Sequence, residues 1–113
     1  MSKIKTMRDF KSNKTFGELL RQMREHENLT LKDVALEIGM DISLLAKIER
    51  NERQATKMHI SNFAKFFKVQ EKDLLSAFLS DQIAYKILDE DADLNILKVA
   101  EEKVKYGIIK NKN

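Results

Sequence analysis

This 113-residue chain carries one set of side chains at helical spacing that is well suited to bind a ligand, namely Ile42, Ser43, Ala46 and Lys47. In a helix over residues 42–50, Ala46 lies one turn above Ile42 and Lys47 one turn above Ser43, so all four are on the same side. Lysine donates to acceptors such as guanine O6 or N7, serine donates or accepts, and the two apolar side chains can contact a thymine methyl group. This face is therefore a candidate surface for reading double-stranded DNA.

The residues around that face have the pattern of two helices joined by a tight turn. Residues 29–50 read LTLKDVALEIGMDISLLAKIER, with Gly39 at the turn. Glycine takes the positive φ that ends the first helix, and Ala35 is small enough for the helices to approach closely. Leu45 and Ile48 lie on the side facing the first helix. The pattern predicts that aliphatic side chains hold the second helix from behind.

Capping residues mark the helix starts. Thr15 precedes Glu18 in a T-x-x-E capping box, and Thr30 stands three residues before an aspartate in the same way. Asp41 and Thr56 are predicted to cap the third and fourth helices. Together with the apolar spacing, these signals predict helices at about 16–27, 31–38, 42–50, 57–67, from about 71 onward, and 92–106. The predicted inward residues are Phe16, Leu19, Leu20 and Met23 in the first helix, Ile60, Phe63, Ala64 and Phe67 in the fourth, and Leu74, Leu75, Phe78, Leu79 and Ile83 in the fifth. An acidic run, Asp89 to Asp91, is predicted to separate the fifth helix from the last.

Composition favours an all-α fold and excludes several classes of function. The chain has no Pro, no Cys and three Gly, fewer turn residues than strand-rich folds use. Absence of cysteine excludes disulfides and thiolate metal sites and fits a cytoplasmic protein. His26 and His59 lack ligand spacing, and no hydrolase or nucleotide-binding motif occurs. We expect no catalytic residue, metal, cofactor, small-molecule ligand or membrane span.

Positive charge is concentrated at the start of the chain. The formal net charge is +3, and residues 1–14 hold five basic residues and one acidic residue. Residues 15–75 hold ten of each, and residues 76–113 hold six basic and seven acidic. The basic segment is interpreted either as a solvated tail or as an arm along a phosphate backbone. Both interpretations stay open.

Residues 15–79 resemble the Cro/repressor-type helix-turn-helix regulators, the XRE family. The resemblance rests on FGELLRQMRE, LTLKDVALEIGM and LLAKIER, followed by FFKV and DLL, in the order and spacing of that family. It implies a five-helix repressor-like domain whose third helix enters the major groove of DNA. Carried over by position, the base-contacting residues are Ile42, Ser43, Ala46 and Lys47.

The resemblance also implies contacts to the DNA backbone and one internal ion pair. The expected phosphate-contacting residues are Thr30, Lys32, Arg50, Asn51, Arg53 and Lys57. In the family, an arginine late in the first helix meets a glutamate late in the third, and these positions are Arg24 and Glu49 here. Such a pair would join the first helix to the helix that reads DNA.

Four positions depart from the family pattern. Leu31 replaces a glutamine that bridges a phosphate and the third helix, which weakens the expected contact there. Asn51 replaces a glycine but tolerates the left-handed conformation. Ala55 replaces a proline, and Lys68 replaces a glycine, so its backbone must be strained or turn in another way.

Residues 80–113 carry less of the resemblance and are predicted to be a C-terminal helical extension. Leu94, Leu97, Ala100 and Val104 recur there at helical spacing. They are interpreted either as packing on the first five helices or as a dimer interface. We expect a homodimer, because operators usually carry two half-sites about one helical turn apart.

Two functions are compatible with these patterns. The first is a sequence-specific transcriptional regulator, a dimer that inserts helix 42–50 into the major groove of double-stranded DNA. The second is a protein-interaction module, adaptor or antitoxin-like, that keeps the fold without specific DNA binding. The low net charge, Leu31 and the weakly basic third helix slightly favour the second function. The predicted order along the chain is a basic segment 1–14, a DNA-binding domain 15–79 and the extension 80–113.

Overall fold

The computed structural model describes residues 14–110. Its helices are α1 Phe16–His26, α2 Leu31–Ile38, α3 Ile42–Glu49, α4 Lys57–Phe67, α5 Glu71–Asp89 and α6 Asn95–Lys105. No strand occurs between residues 14 and 110, so the all-α prediction is confirmed. The predicted basic segment lies, apart from Lys14, outside the described residues. Within the described range, no helix is both long enough and apolar enough to cross a membrane.

The chain divides into two compact units, and the boundary between Asp81 and Gln82 lies inside α5. The first unit contains α1 to α4 and the first part of α5. The second unit contains the remainder of α5 and all of α6. Helix α5 ends at Asp89, where the predicted acidic run begins.

The core of the first unit is formed by apolar side chains from all five of its helices. Its buried members are Phe16, Leu19, Leu20, Met23, Val34, Ala35, Leu45, Ile48, Ala55, Ile60, Phe63, Ala64, Phe67 and Leu74. The apolar stripes predicted for α1 and α4 are confirmed. The apolar stripe predicted for α5 is wrong at Leu79 and Ile83, because these side chains are 44% and 52% exposed.

Three helices of the first unit begin with a reciprocal capping box, at Thr15, Thr30 and Thr56. In each box the threonine oxygen accepts from a backbone N–H three residues later, and the side chain at that later position accepts from the threonine N–H. The backbone hydrogen bonds from Thr15 and Thr30, followed by their hydroxyl groups, hold the pKa values of Glu18 and Asp33 below their usual range. The predicted helix starts are therefore set by local hydrogen bonds.

Each of the first four helices is followed, within two residues of its end, by a residue in the left-handed conformation. These residues are Asn28, Gly39, Asn51 and Lys68, with φ values of 58°, 74°, 63° and 59°. The residue that follows donates its N–H to a carbonyl five positions back, as between Val69 and Ala64 at 3.1 Å. Glycine adopts this conformation readily, whereas lysine does so at a steric cost. Lys68 therefore carries backbone strain.

Replacing Lys68 with glycine should raise the free energy of unfolding by about 0.5–1 kcal/mol, because relief of the strain exceeds the entropy that glycine adds to the unfolded chain. Urea denaturation measures the change. The control is Lys65→Gly, inside α4, which should lower the free energy of unfolding by about 1 kcal/mol. A loss of stability in Lys68→Gly would contradict the assignment of strain to this residue.

Candidate nucleic-acid interface

Helix α3 presents the four predicted base-contacting residues on the side away from the core. Ile42 is 44% exposed, Ser43 and Lys47 are exposed, and Ala46 is half-buried. The buried side of the helix consists of Leu45, Ile48 and Glu49. Since successive residues are about 100° apart around a helix, the buried and exposed sets occupy different arcs. The core therefore leaves the outward face of α3 open to a ligand.

Arg24 in α1 joins that helix to the end of α3. Its Nε and Nη2 atoms donate to the two carboxylate oxygens of Glu49 at 2.8 and 2.9 Å, and its Nη1 atom donates to the carbonyl oxygen of Leu29 at 2.9 Å. The Arg24 and Glu49 side chains are only 12% and 6% exposed. The hydrogen bonds to Glu49 raise the pKa of Arg24. Because both charges are largely removed from water, each depends on the other for compensation.

The first turn of α1 contacts the end of α3 so closely that no side chain fits between them. A Cβ atom at Gly17 would lie 2.4 Å from the carbonyl oxygen of Ile48 and 2.5 Å from that of Glu49. Gly17 was not identified from the sequence. The available signal was a glycine inside a predicted helix, which usually has a packing reason.

Asn51, predicted to contact phosphate, makes two side-chain hydrogen bonds within the protein. Its Oδ1 atom accepts from the N–H of Gly17 at 3.2 Å, and its Nδ2 atom donates to Oγ1 of Thr15 at 2.9 Å. Its backbone also ends α3 in the left-handed conformation. Asparagine combines these roles, whereas glycine at this position would supply only the turn. Asn51 is therefore a link between α1 and α3.

The start of α3 also differs from the prediction. Asp41 occupies the capping position, but its side chain makes no capping hydrogen bond. Its Oδ2 atom instead accepts from the hydroxyl of Ser43, a charge-assisted bond that competes with the cap. Asp41 therefore lies at the predicted capping position without the capping hydrogen bond to the backbone. Because Ser43 uses its proton on Asp41, its remaining capacity is that of an acceptor.

The other predicted phosphate-contacting residues are exposed and lie on the elements that precede and follow α3 in the chain. Thr30 and Lys32 lie at the start of α2, Arg53 in the loop after α3, and Lys57 at the start of α4. Among residues 14–110, the ion pairs include neither Lys47 nor any of these three cations. Their charges are available to an anionic partner.

Among the predicted phosphate-contacting cations, Arg50 forms an ion pair within the described chain. Its Nε and Nη2 atoms donate to the two carboxylate oxygens of Glu52 at 2.9 and 3.1 Å. The pair is exposed, at 56% for the Arg50 side chain and 53% for Glu52. Sequence reasoning did not identify Glu52, whose spacing two residues after Arg50 becomes informative only once the turn at Asn51 is known.

Comparison with known proteins gives matches to about half of this chain. The sequence profile described as "Helix-turn-helix domain" matches residues 17–77. An uncharacterized protein of Haemophilus influenzae is 39% identical over 62 residues, which are 49% of this chain and 20% of that protein. The chain thus matches about a fifth of the length of that relative. The crystal structure of the restriction-modification controller protein C.AhdI from Aeromonas hydrophila is similar, with a TM-score of 0.50 and 27% identity over 52% of this chain and 89% of that one.

Replacing Arg24 with alanine should lower the free energy of unfolding by about 3–5 kcal/mol, because Glu49 would remain buried without a partner. The matched control is Arg21→Ala on the same helix. Arg21 pairs with Glu25 at 3.0 Å, but the two side chains are 63% and 55% exposed, so the expected loss is about 0.5 kcal/mol or less. Urea denaturation measures the free energy of unfolding of the two variants. Equal losses would show that burial does not make the Arg24–Glu49 pair more stabilising than an exposed pair.

Proposed function

This chain belongs to the helix-turn-helix domain family, and from that premise we propose that it is a sequence-specific, double-stranded DNA-binding transcriptional regulator. In this proposal α3 enters the major groove. The observation that carries it is the exposed outward face of α3, which the core and Arg24 hold in place from the other side. The likeness to a restriction-modification controller protein supports a regulatory role of this general kind.

Base reading is assigned to the outward face of α3. Lys47 donates to guanine O6 or N7, and Ile42 and Ala46 contact thymine methyl groups. Ser43, whose proton is bound to Asp41, accepts from the amino group of adenine or cytosine. The face therefore combines one donor, one acceptor and two apolar contacts, which together can distinguish base pairs.

Anchoring on phosphates is assigned to the residues beside α3. Thr30 is assigned to a phosphate near the start of α2, where the N–H groups of the first helical turn favour an anion. Lys32, Arg53 and Lys57 supply cations that neutralise phosphate charge irrespective of sequence. The Asn51 side chain is not assigned to a phosphate, because it is hydrogen-bonded to Gly17 and Thr15.

A homodimer formed through the second unit completes the proposal. Among the described residues, α6 has no buried side chain. The exposed large apolar residues of this unit are Ile83, Tyr85, Leu88, Leu94, Ile96, Leu97, Val99, Val104, Tyr106, Ile108 and Ile109. Apolar surface at this density is typical of an interaction site. A second copy is the partner we favour, because a two-fold dimer matches the two half-sites of an operator.

The second candidate function is a protein-interaction module without specific DNA binding. Two observations favour it. The acids Asp41 and Glu52 lie at the two ends of α3 and reduce its positive charge, and the apolar Leu36 and Met58 are 77% and 72% exposed on α2 and α4.

Selection of bound duplexes from a random pool tests the proposed function. The selected operator should bind at least about 1,000-fold more tightly than a scrambled duplex, and the logarithm of the affinity should fall linearly with the logarithm of the salt concentration. Equal binding of all sequences, or no binding at low salt, would favour the protein-interaction module.

Two variants separate base reading from anchoring on the selected operator. Lys47→Ala should relax the preference at one base pair by about 1–3 kcal/mol, whereas Arg53→Ala should weaken binding to all sequences and reduce the salt slope by about one. The control is Lys65→Ala, on α4 about 12 Å beyond Lys57 along the helix axis, which should change neither. If Lys47→Ala and Arg53→Ala behave alike, the division into reading and anchoring residues is wrong.

Substituting Leu97 or Val104 by glutamate should convert the dimer into a monomer, because each change places a charge in the proposed apolar interface. Sedimentation velocity of the full chain measures the state of assembly. The control is Lys98→Glu, which changes a charge on the same helix without removing an apolar side chain. A monomeric unaltered chain, or dimeric Leu97→Glu and Val104→Glu variants, would contradict the assignment of the interface.

A further inference from the structure

An acidic residue, Glu52, lies among the cations of the proposed DNA surface. It lies three residues after the end of α3. The left-handed conformation of Asn51 turns the chain back so that the N–H of Glu52 donates to the carbonyl oxygen of Lys47 at 2.8 Å. This is the hydrogen bond that closes a Schellman turn. The backbone of Glu52 is therefore fixed against the last turn of α3 by the same residue that links α3 to α1.

The carboxylate of Glu52 interacts with two of those cations. Both of its oxygens accept from the guanidinium of Arg50, in a fork of two hydrogen bonds. The hydrogen bonds from Arg50, and to a lesser degree the charges of Arg50 and Lys47, hold the pKa of Glu52 below its usual range. The carboxylate is thus ionised at neutral pH and lowers the positive potential at Arg50 and Lys47.

A phosphate would need the same edge of Arg50. The paired N–H groups of a guanidinium match a carboxylate or a phosphate in geometry, and one edge binds one such anion at a time. Because more than half of each side chain in the Arg50–Glu52 pair is exposed, exchange of one anion for the other requires no unfolding. Arg50 therefore reaches a phosphate through this edge only after releasing Glu52.

We propose that Glu52 competes with the DNA backbone for Arg50 and thereby limits the affinity of this protein for any duplex. The inference rests on the proposed function and deepens it by assigning an affinity-limiting residue at the same site. Glu52 acts through Arg50 and has no contact with DNA of its own. Since phosphate contacts supply essentially all of non-specific binding, the effect falls on operator and non-operator DNA alike.

The Glu52→Gln variant of the full chain tests the proposal, because it removes the charge and keeps the shape. Fluorescence anisotropy would follow binding to the selected operator and to a scrambled duplex between about 0.05 and 0.3 M salt. The affinity for both duplexes should rise roughly fivefold at about 0.1 M salt, and the salt slope should steepen by about one, as expected for one additional phosphate contact. The urea midpoint should not change.

Two further variants separate this mechanism from a general charge effect. Glu37→Gln removes an exposed acid of α2 that is in no ion pair of the described chain, and it should change the affinity by less than about twofold. In an Arg50→Gln background, Glu52→Gln should lose most of its effect.

The outcomes distinguish the inference from the proposed function. Unchanged affinity and salt slope in Glu52→Gln, an equal gain in Glu37→Gln, or a full gain in the Arg50→Gln background would each overturn the inference while leaving DNA binding intact. Failure of the unaltered chain to bind any duplex at low salt would overturn the proposed function and the inference together.

Discussion

The buried ion pair between Arg24 and Glu49 is the interaction on which the position of α3 depends. Three of the Arg24 nitrogen atoms are used, two on Glu49 at the end of α3 and one on the carbonyl of Leu29 before α2. The close approach at Gly17 leaves no space for α3 to shift toward α1. With Leu45 and Ile48 in the core, the helix is fixed before any ligand arrives. A surface that is already ordered loses less conformational entropy on binding.

The electrostatics around α3 are moderate, and this follows from the pairing of its charges. Arg50 is bound to Glu52, and Asp41 lies at the start of the helix next to Ser43. The cations outside these pairs are Lys47 on α3 and those at the starts of α2 and α4 and in the loop. In the proposed complex with DNA, such a surface would obtain less affinity from phosphates and would depend more on the fit of Ile42 and Ala46 in the groove.

Sequence reasoning succeeded where the determinants were local. The threonine capping boxes and the apolar spacing of α1 and α4 involve residues within a few positions of each other, so they could be predicted without a structure. The close contact at Gly17 could not, because its partners at 48–51 are more than thirty residues away and glycine carries no side-chain signal. Asp41 lies at the predicted capping position, but its carboxylate accepts from the neighbouring hydroxyl of Ser43 and makes no capping hydrogen bond. Likewise, the predicted inward positions of Leu79 and Ile83 continued a periodic pattern beyond the end of the core.

The most direct test of the account is an NMR titration of the isotopically labelled chain with the selected duplex, following both the backbone amides and the Nε–H signal of Arg24. We expect amide shifts at 30–32, 41–47 and 50–57, while the Arg24 signal stays as in the free protein because its bond to Glu49 is already made. Amide shifts confined to 82–110, or an Arg24 signal that reaches its hydrogen-bonded position only when DNA is added, would contradict the claim that α3 is held ready for DNA by this pair.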